Sequence, residues 1–293
     1  MRLCCDPHWR ISHLCPTPAE ILKIYLMRVI KILSLLLISG AVSWNVLAQT
    51  GTISDPSVDS SSTRAPKKAS IAPGSIPVQN LPSQPVMHVG GAADRSLDNI
   101  KKARVAADST HLIFDGDSIT DYWQKRGQAV WAQRYARFGA FDFGISGDTT
   151  GNVMWRLSQG QADGLHPKLI VLMIGTNNMK FSSTPAEIAA GVKAIISEYQ
   201  KRCPEAVILL QAIFPRGSQP TDPYRSKIKA TNDVLATYAD GSKIIYTDFG
   251  DKFLDADGTL SPTVMPDYVH PSAKGYLIWA DAIQPFIDKY VGK

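Results

Sequence analysis

The stretch KLIVLMIGTNN, residues 168–178, decides the architecture. Leu169 to Ile174 are apolar without interruption, and a strand with no polar alternation must be covered on both faces. The run stops at Gly175 and passes at once into Thr176, Asn177 and Asn178. A second run of the same kind, AVILLQAIF, occupies residues 206–214. Between the two lies a helical pattern, Pro185–Lys201, opened by the capping box Thr184-Pro-Ala-Glu187 with proline at its first turn. Buried strand, helix, buried strand is the unit from which parallel sheets are built.

The same alternation extends in both directions. Strands are expected at His111–Phe114, Ala140–Ile145 and Ile244–Asp248, beside Leu169–Ile174 and Val207–Phe214. Helical patterns cover Leu97–Ala107, Ala129–Phe138, Asn152–Gln159, Ser226–Ala239 and Ser272–Val291. The fold class is therefore α/β: a three-layer α/β/α sandwich around a parallel sheet of about five strands. Ligands of such sheets bind outside the carboxyl ends of the strands. The segments just after the strands are DGDSIT, GISGDTTGN and IGTNN, and the last loop before the final helix is MPDYVHPSAKGY. Glycines and polar side chains concentrate where a site would form.

Charge and composition bound the partners. The chain of 293 residues carries a net +5. Arg2, Arg10, Lys23, Arg28 and Lys31 against Asp6 and Glu20 put +3 in residues 1–48. Arg64, Lys67 and Lys68 against Asp55 and Asp59 put +1 in residues 49–87, which leaves +1 from His88 onward. A domain so close to neutral gives no electrostatic footing for nucleic acid. Met27-Arg-Val-Ile-Lys31, the apolar stretch Ile32–Val42 and Val46-Leu47-Ala48 have the layout of a secretory signal peptide cleaved after Ala48. Residues 1–26 fit no such pattern, and Met27 is the expected start. The competing reading is an uncleaved membrane anchor, but Ile32–Ala48 is short for a span and contains Ser34, Ser39, Gly40, Ser43 and Asn45. An exported protein, periplasmic or secreted, is expected. Residues 49–87, rich in Ser, Pro and Thr, read as a disordered linker, and the folded domain as residues 88–293. Downstream of Ala48 only Cys203 remains, so no intramolecular disulfide or cysteine metal site is expected there, and the thiol reads as structural.

Ser118 sits in the first polar segment, and a serine becomes a nucleophile only beside a base. Of six histidines, His270 has a carboxylate three residues before it, Asp267 in PDYVH. That spacing lets Asp267 accept the Nδ1 proton of His270 and leave Nε2 as base. A solvated D-x-x-H turn is an equally good reading of the pair alone. Gly147 in ISGDTT can offer an uncrowded backbone N–H to a developing oxyanion, and Asn177 in GTNN a side-chain amide. Taken singly, these are also a helix-entry turn and an Asx turn. The case rests on all of them occurring in order, each after its own element. Thr120 stands where the G-x-S-x-G elbow of the α/β-hydrolases needs its second glycine. Asp255–Thr259, DADGT, lacks the spaced third acid, the glycine at position six and the closing glutamate of a calcium loop and reads as a β-turn. Trp123, Trp131 and Trp155 could line a pocket, but tryptophans at helical positions belong more often to the core, Trp131 above all.

The blocks FDGDSIT, FGISGDTTGNVMWRL, IGTNN and PDYVH resemble those of the SGNH (GDSL) hydrolase family, over roughly residues 95–293. Within it, GDTT…WRL, GTNN, FPRG and LDADG are most similar to the branch of the platelet-activating-factor acetylhydrolase Ib catalytic subunits and their bacterial relatives. The resemblance implies a flavodoxin-like SGNH fold and no cofactor or metal. It implies Ser118 as nucleophile and backbone donor, Gly147 and Asn177 as the other oxyanion donors, His270 as base and Asp267 as its partner. Asp117 is assigned a structural part in the turn. With an export signal, the resemblance implies hydrolysis of small acyl esters, acetyl above all, on carbohydrates through an acyl-enzyme. The alternatives are a lysophospholipase or thioesterase acting on lipid-like esters, and a non-catalytic glycan-binding module on the same fold.

Overall fold

Five strands form in the expected runs: β1 Leu112–Gly116, β2 Phe141–Asp142, β3 Leu169–Met173, β4 Val207–Gln211 and β5 Ile244–Thr247. All pair in parallel, in the order β2-β1-β3-β4-β5. Register runs from Ile113 opposite Phe141 through Gly116 opposite Met173 to Ile208 opposite Ile244. The computed structural model describes residues 82–292. The signal peptide, the start at Met27 and most of the linker lie outside the described residues.

Seven helices flank the sheet among the described residues: α1 Gly91–Val105, α2 Ser118–Asp121, α3 Gln128–Arg134, α4 Thr150–Ser158, α5 Pro185–Arg202, α6 Pro223–Ala236 and α7 Ala273–Tyr290. Successive strand residues point to opposite faces. Ile113, Ile170, Leu172, Ile208 and Leu210 pack with Val153 of α4, Ile188, Val192 and Ile195 of α5, and Ile228 and Leu235 of α6. The alternate residues Leu112, Phe114, Leu169, Val171 and Leu209 pack with Trp131 of α3 and Trp279, Ile283 and Ile287 of α7. The three-layer sandwich follows from those two faces. Trp123 and Trp131 are both core, in a cluster of rings with Phe114, Tyr135 and Trp279. No described helix is long and apolar enough to cross a membrane.

Three local features depart from expectation. The strand expected over 140–145 is regular only at Phe141–Asp142. Asp142 Oδ1 accepts the N–H of Gly144 at 2.8 Å, and Gly144 lies so close to the backbone of Thr120 and Asp121 that a side chain there would collide. Beyond Asp142 the run still meets β1, through Phe143 N–H on Phe114 O at 2.9 Å and Ile145 N–H on Gly116 O at 3.3 Å. The turn after β1 winds into the short helix α2, where no helical pattern was expected. Residues 82–87, assigned to the linker on composition, hydrogen-bond to the domain. Thr150 Oγ1 donates to Pro82 O at 2.7 Å, Val86 N–H to Gly151 O at 2.8 Å, and Asn152 Nδ2 to Val86 O at 3.0 Å. Segment DADGT is a turn, closed by Gly258 N–H on Asp255 O. Cys203 is a free, buried thiol whose pKa burial pushes up to about 11.

Candidate active site

Strand order alone collects three of the four polar segments. Because β1 lies between β2 and β3, the segments carrying Ser118, Gly147 and Asn177 leave neighbouring strands at the same sheet edge. At the end of β1, Gly116 has no room for a β-carbon between Met173 O and the Thr120 side chain. Asp117 then caps α2 by accepting the N–H of Ile119 at 2.9 Å. Burial raises the Asp117 carboxyl to about 7, against the pull of that N–H bond and of the Lys180 and Arg216 charges. Ser118, 7% exposed, follows as the first helical residue. Its N–H meets no acceptor among the described residues, as first-turn groups of a helix do.

The fourth segment arrives from the other end of the domain. His270 Nε2 stands 2.8 Å from Ser118 Oγ, across 152 residues of sequence. His270 Nδ1 stands 2.7 Å from Asp267 Oδ2. The other oxygen, Oδ1, accepts the backbone N–H of His270 at 2.8 Å and of Val269 at 3.2 Å. Burial works to raise the Asp267 pKa, but the N–H bond, ring contact and charge of His270 outweigh it and leave it below the usual carboxylate value. A carboxylate at Nδ1 keeps the ring proton there, so Nε2 faces Ser118 with its lone pair. The turn is tight because Tyr268, between the two residues, holds φ at 57°, a region that a bulky side chain rarely occupies. Gly217 N–H donates to Tyr268 O at 3.0 Å and steadies that conformation. Tyr122 stacks on the imidazole at 5.0 Å between ring centres.

Gly147 and Asn177 adjoin each other through Asp148. Asp148 N–H donates to Ile145 O at 3.1 Å, closing a turn in which Gly147 takes φ 90°. Glycine is needed there, since the third residue of a type II turn has positive φ. Gly147 is exposed, nothing packs against its open face, and its N–H has no partner among the described residues. Asn177 Nδ2 donates one hydrogen to Asp148 O at 2.9 Å, which leaves the second hydrogen of that amide unassigned. Ser146 Oγ donates to Asp121 Oδ2 at 2.5 Å, tying this turn to α2.

Beneath the site lies a polar network that sequence reasoning passed over. Arg156, 1% exposed, donates through Nε to Asp148 Oδ2 at 2.9 Å, through Nη2 to Asp115 Oδ1 at 2.8 Å, and through Nη1 to Gln161 Oε1. Tyr199 Oη and Gln161 Nε2 donate to Asp115 Oδ2 at 2.6 and 2.9 Å. Burial opposes the guanidinium charge, but Asp115 and Asp148 overcome it and raise the Arg156 pKa. One signal was available: an arginine three residues after Val153, on the buried face of α4, with an acid following each of two strands. Among the described residues no three His, Cys, Asp or Glu side chains group as metal ligands would.

A solved GDSL-like lipase from Bacteroides thetaiotaomicron shares this fold, with TM-score 0.54, 21% identity, and coverage of 68% of this chain and 98% of that one. Platelet-activating factor acetylhydrolase IB subunit alpha1 of Rattus norvegicus is 34% identical over 178 residues, 59% of this chain and 75% of the relative. Subunit alpha2 of Homo sapiens is 34% identical over 168 residues, 56% and 70% of the two chains. The family model of GDSL-like lipases and acylhydrolases matches residues 114–278, from the last residues of β1 into α7. With the sheet order and the four loops in place, the chain belongs to the GDSL-like lipase/acylhydrolase family and is an ester hydrolase.

Proposed function

We propose that the protein is a serine esterase that removes small acyl groups, acetyl first, from esters of carbohydrates. The observation that carries this reading is the unbroken chain Ser118 Oγ, His270 Nε2, His270 Nδ1, Asp267 Oδ2, with contacts of 2.8 and 2.7 Å. Nε2 takes the Ser118 proton as Oγ attacks the acyl carbon. The oxyanion that forms is held by the N–H groups of Ser118 and Gly147 and by the free hydrogen of Asn177 Nδ2. Collapse breaks the bond to the alcohol oxygen, which leaves with the proton from Nε2, and the acyl group stays on Ser118. Water, deprotonated by His270, then releases the acid and restores Ser118.

Acetyl is favoured because the curated relatives are acetylhydrolases by name. A cavity of about 440 Å³ between α6 and β5, lined by Ile213, Ile228, Tyr246 and Leu254 among others, includes none of the five site residues, so it is no extension of Ser118 for a long acyl chain. A carbohydrate alcohol is favoured by the signal peptide read in residues 27–48, which would deliver the enzyme outside the cytoplasm. N-terminal sequencing of the exported protein tests that part, with Gln49 as the expected first residue.

The substrate reading is tested by the hydrolysis rates of p-nitrophenyl acetate and octanoate, with Ser118→Ala as control, followed by acetylated xylo-oligosaccharides. Acetate cleavage that vanishes in the variant, fades with chain length and extends to the acetylated sugars supports the proposal. A Ser118-dependent preference for octanoate replaces it with a lipid-directed esterase. Turnover indifferent to Ser118 removes the serine mechanism.

A further inference from the structure

Resting on the serine-esterase reading, we propose that His88 is a positioning residue for the oxyanion-binding turn, delivered by the strap of residues 82–88. His88 is buried, and its Nε2 lies 2.7 Å from Asp148 Oδ1. The pair falls short of hydrogen-bond geometry, and neither atom has a hydrogen-bond partner among the described residues. Asp148 is fully buried, and three of its four polar atoms are engaged. Oδ2 takes Arg156 Nε, the carbonyl takes Asn177 Nδ2, and the N–H closes the turn on Gly147. Among the described residues, His88 therefore supplies the one group that faces Oδ1. Without it a buried carboxylate oxygen has no counterpart, and the residue that orients both Gly147 and Asn177 is held from one side only.

The strap is built into the fold and is not a chance contact. Besides the three hydrogen bonds at Pro82 and Val86, the His88 ring meets the edge of Trp155 at 5.7 Å. Two helical glycines lie directly under it. A β-carbon on Gly151 of α4 would press on Val86 and Gln84 O, and one on Gly191 of α5 would press on Pro82 O and Thr150. Glycine within a helix costs about 1 kcal/mol relative to alanine. Its presence at both points where the strap crosses makes room for the strap. Residues 82–88 thus belong to the domain, and the segment ends on the carboxylate behind the oxyanion donors.

The test compares His88→Gln, His88→Asn and His88→Phe in the full chain, with Asn177→Ala alone and combined with each, on p-nitrophenyl acetate. Glutamine places an N–H where Nε2 stood, asparagine stops short, and phenylalanine keeps the ring on Trp155 without a donor. The expected result is kcat lowered about 10–100-fold in His88→Asn and His88→Phe, KM within twofold, and His88→Gln close to wild type. In the Asn177→Ala background the same substitutions are expected to cost less than they do alone, because one of the two donors that Asp148 orients is already removed. Equal kcat in all three variants overturns the proposal, as do effects that multiply fully with Asn177→Ala. If His88→Phe does not fold, the glutamine–asparagine pair decides alone. Wild-type activity that survives Ser118→Ala is a different failure, that of the esterase reading itself.

Discussion

Asn177 Nδ2 donates to the carbonyl oxygen of Asp148 at 2.9 Å, so the loop after β3 is fastened to the turn after β2 at the residue next to Gly147. One amide thereby holds the turn and keeps a hydrogen for the substrate. Asn177→Ala is expected to lower kcat by about 10²–10³ with a small change in KM, because the lost donor acts on charge that exists only in the transition state. Steady-state kinetics on p-nitrophenyl acetate give the split. A rise in KM at constant kcat would place Asn177 in substrate binding instead.

Asp267→Asn keeps the size of the side chain and removes its charge. An amide at Nδ1 favours the other ring tautomer, which points a proton at Ser118 in place of a lone pair. The expected loss in kcat is about 10³–10⁴, with the thermal midpoint little changed because Asp267 is half exposed. Activity within tenfold of wild type would assign Asp267 to holding the turn alone.

Asp117 makes stability depend on pH. Its carboxyl stands near 7 in the fold, against 3.8 as the ordinary value, so the folded state binds the proton more tightly than the unfolded chain. The stability this group contributes is present below about pH 4 and lost as pH rises to about 7. Asp142, buried and raised for the same reason, acts in the same direction. Asp117→Asn keeps a good helix cap and removes the titration. Urea denaturation at pH 5 and pH 8 is expected to show the variant gaining on wild type at the higher pH, by up to about 3 kcal/mol. An equal difference at both values would contradict the burial argument.

Arg156→Met leaves Asp115 and Asp148 buried without their shared cation. The expected cost is about 3–5 kcal/mol in urea denaturation, since breaking a buried pair strands the remaining charge. Arg156→Lys is expected to recover little of it, because one ammonium cannot match the separate contacts of Nε and Nη2 with two carboxylates. A variant as stable as wild type would mean that the acids take up protons or water at no cost.

The architecture was legible because it is written in local periodicity. Leu169–Ile174 and Val207–Phe214 have no polar alternation, so they could only be strands covered on both faces, and β3 and β4 lie within those bounds. The strand expected at 140–145 is regular only at Phe141–Asp142, although Phe143 N–H and Ile145 N–H still donate to β1. The Ser/Pro-rich composition that suggested a linker through residue 87 says nothing about glycines 151 and 191, which make room for its last residues. Composition measures what a segment can bury by itself, not what a neighbour has cleared for it.

By itself, the sequence determined the α/β class and the order of the polar segments along the chain, because side-chain periodicity and turn chemistry act over a few residues. It also nominated Ser118, Gly147, Asn177, Asp267 and His270, through residue types that chemistry requires after strands. Only the tertiary structure decided that Ser118 and His270 meet across 152 residues. It also decided that Arg156 joins the acids behind two strands, and that His88 reaches Asp148. Those contacts depend on which strands are neighbours and how helices lie across them, and no local pattern encodes a distance between remote parts of a chain.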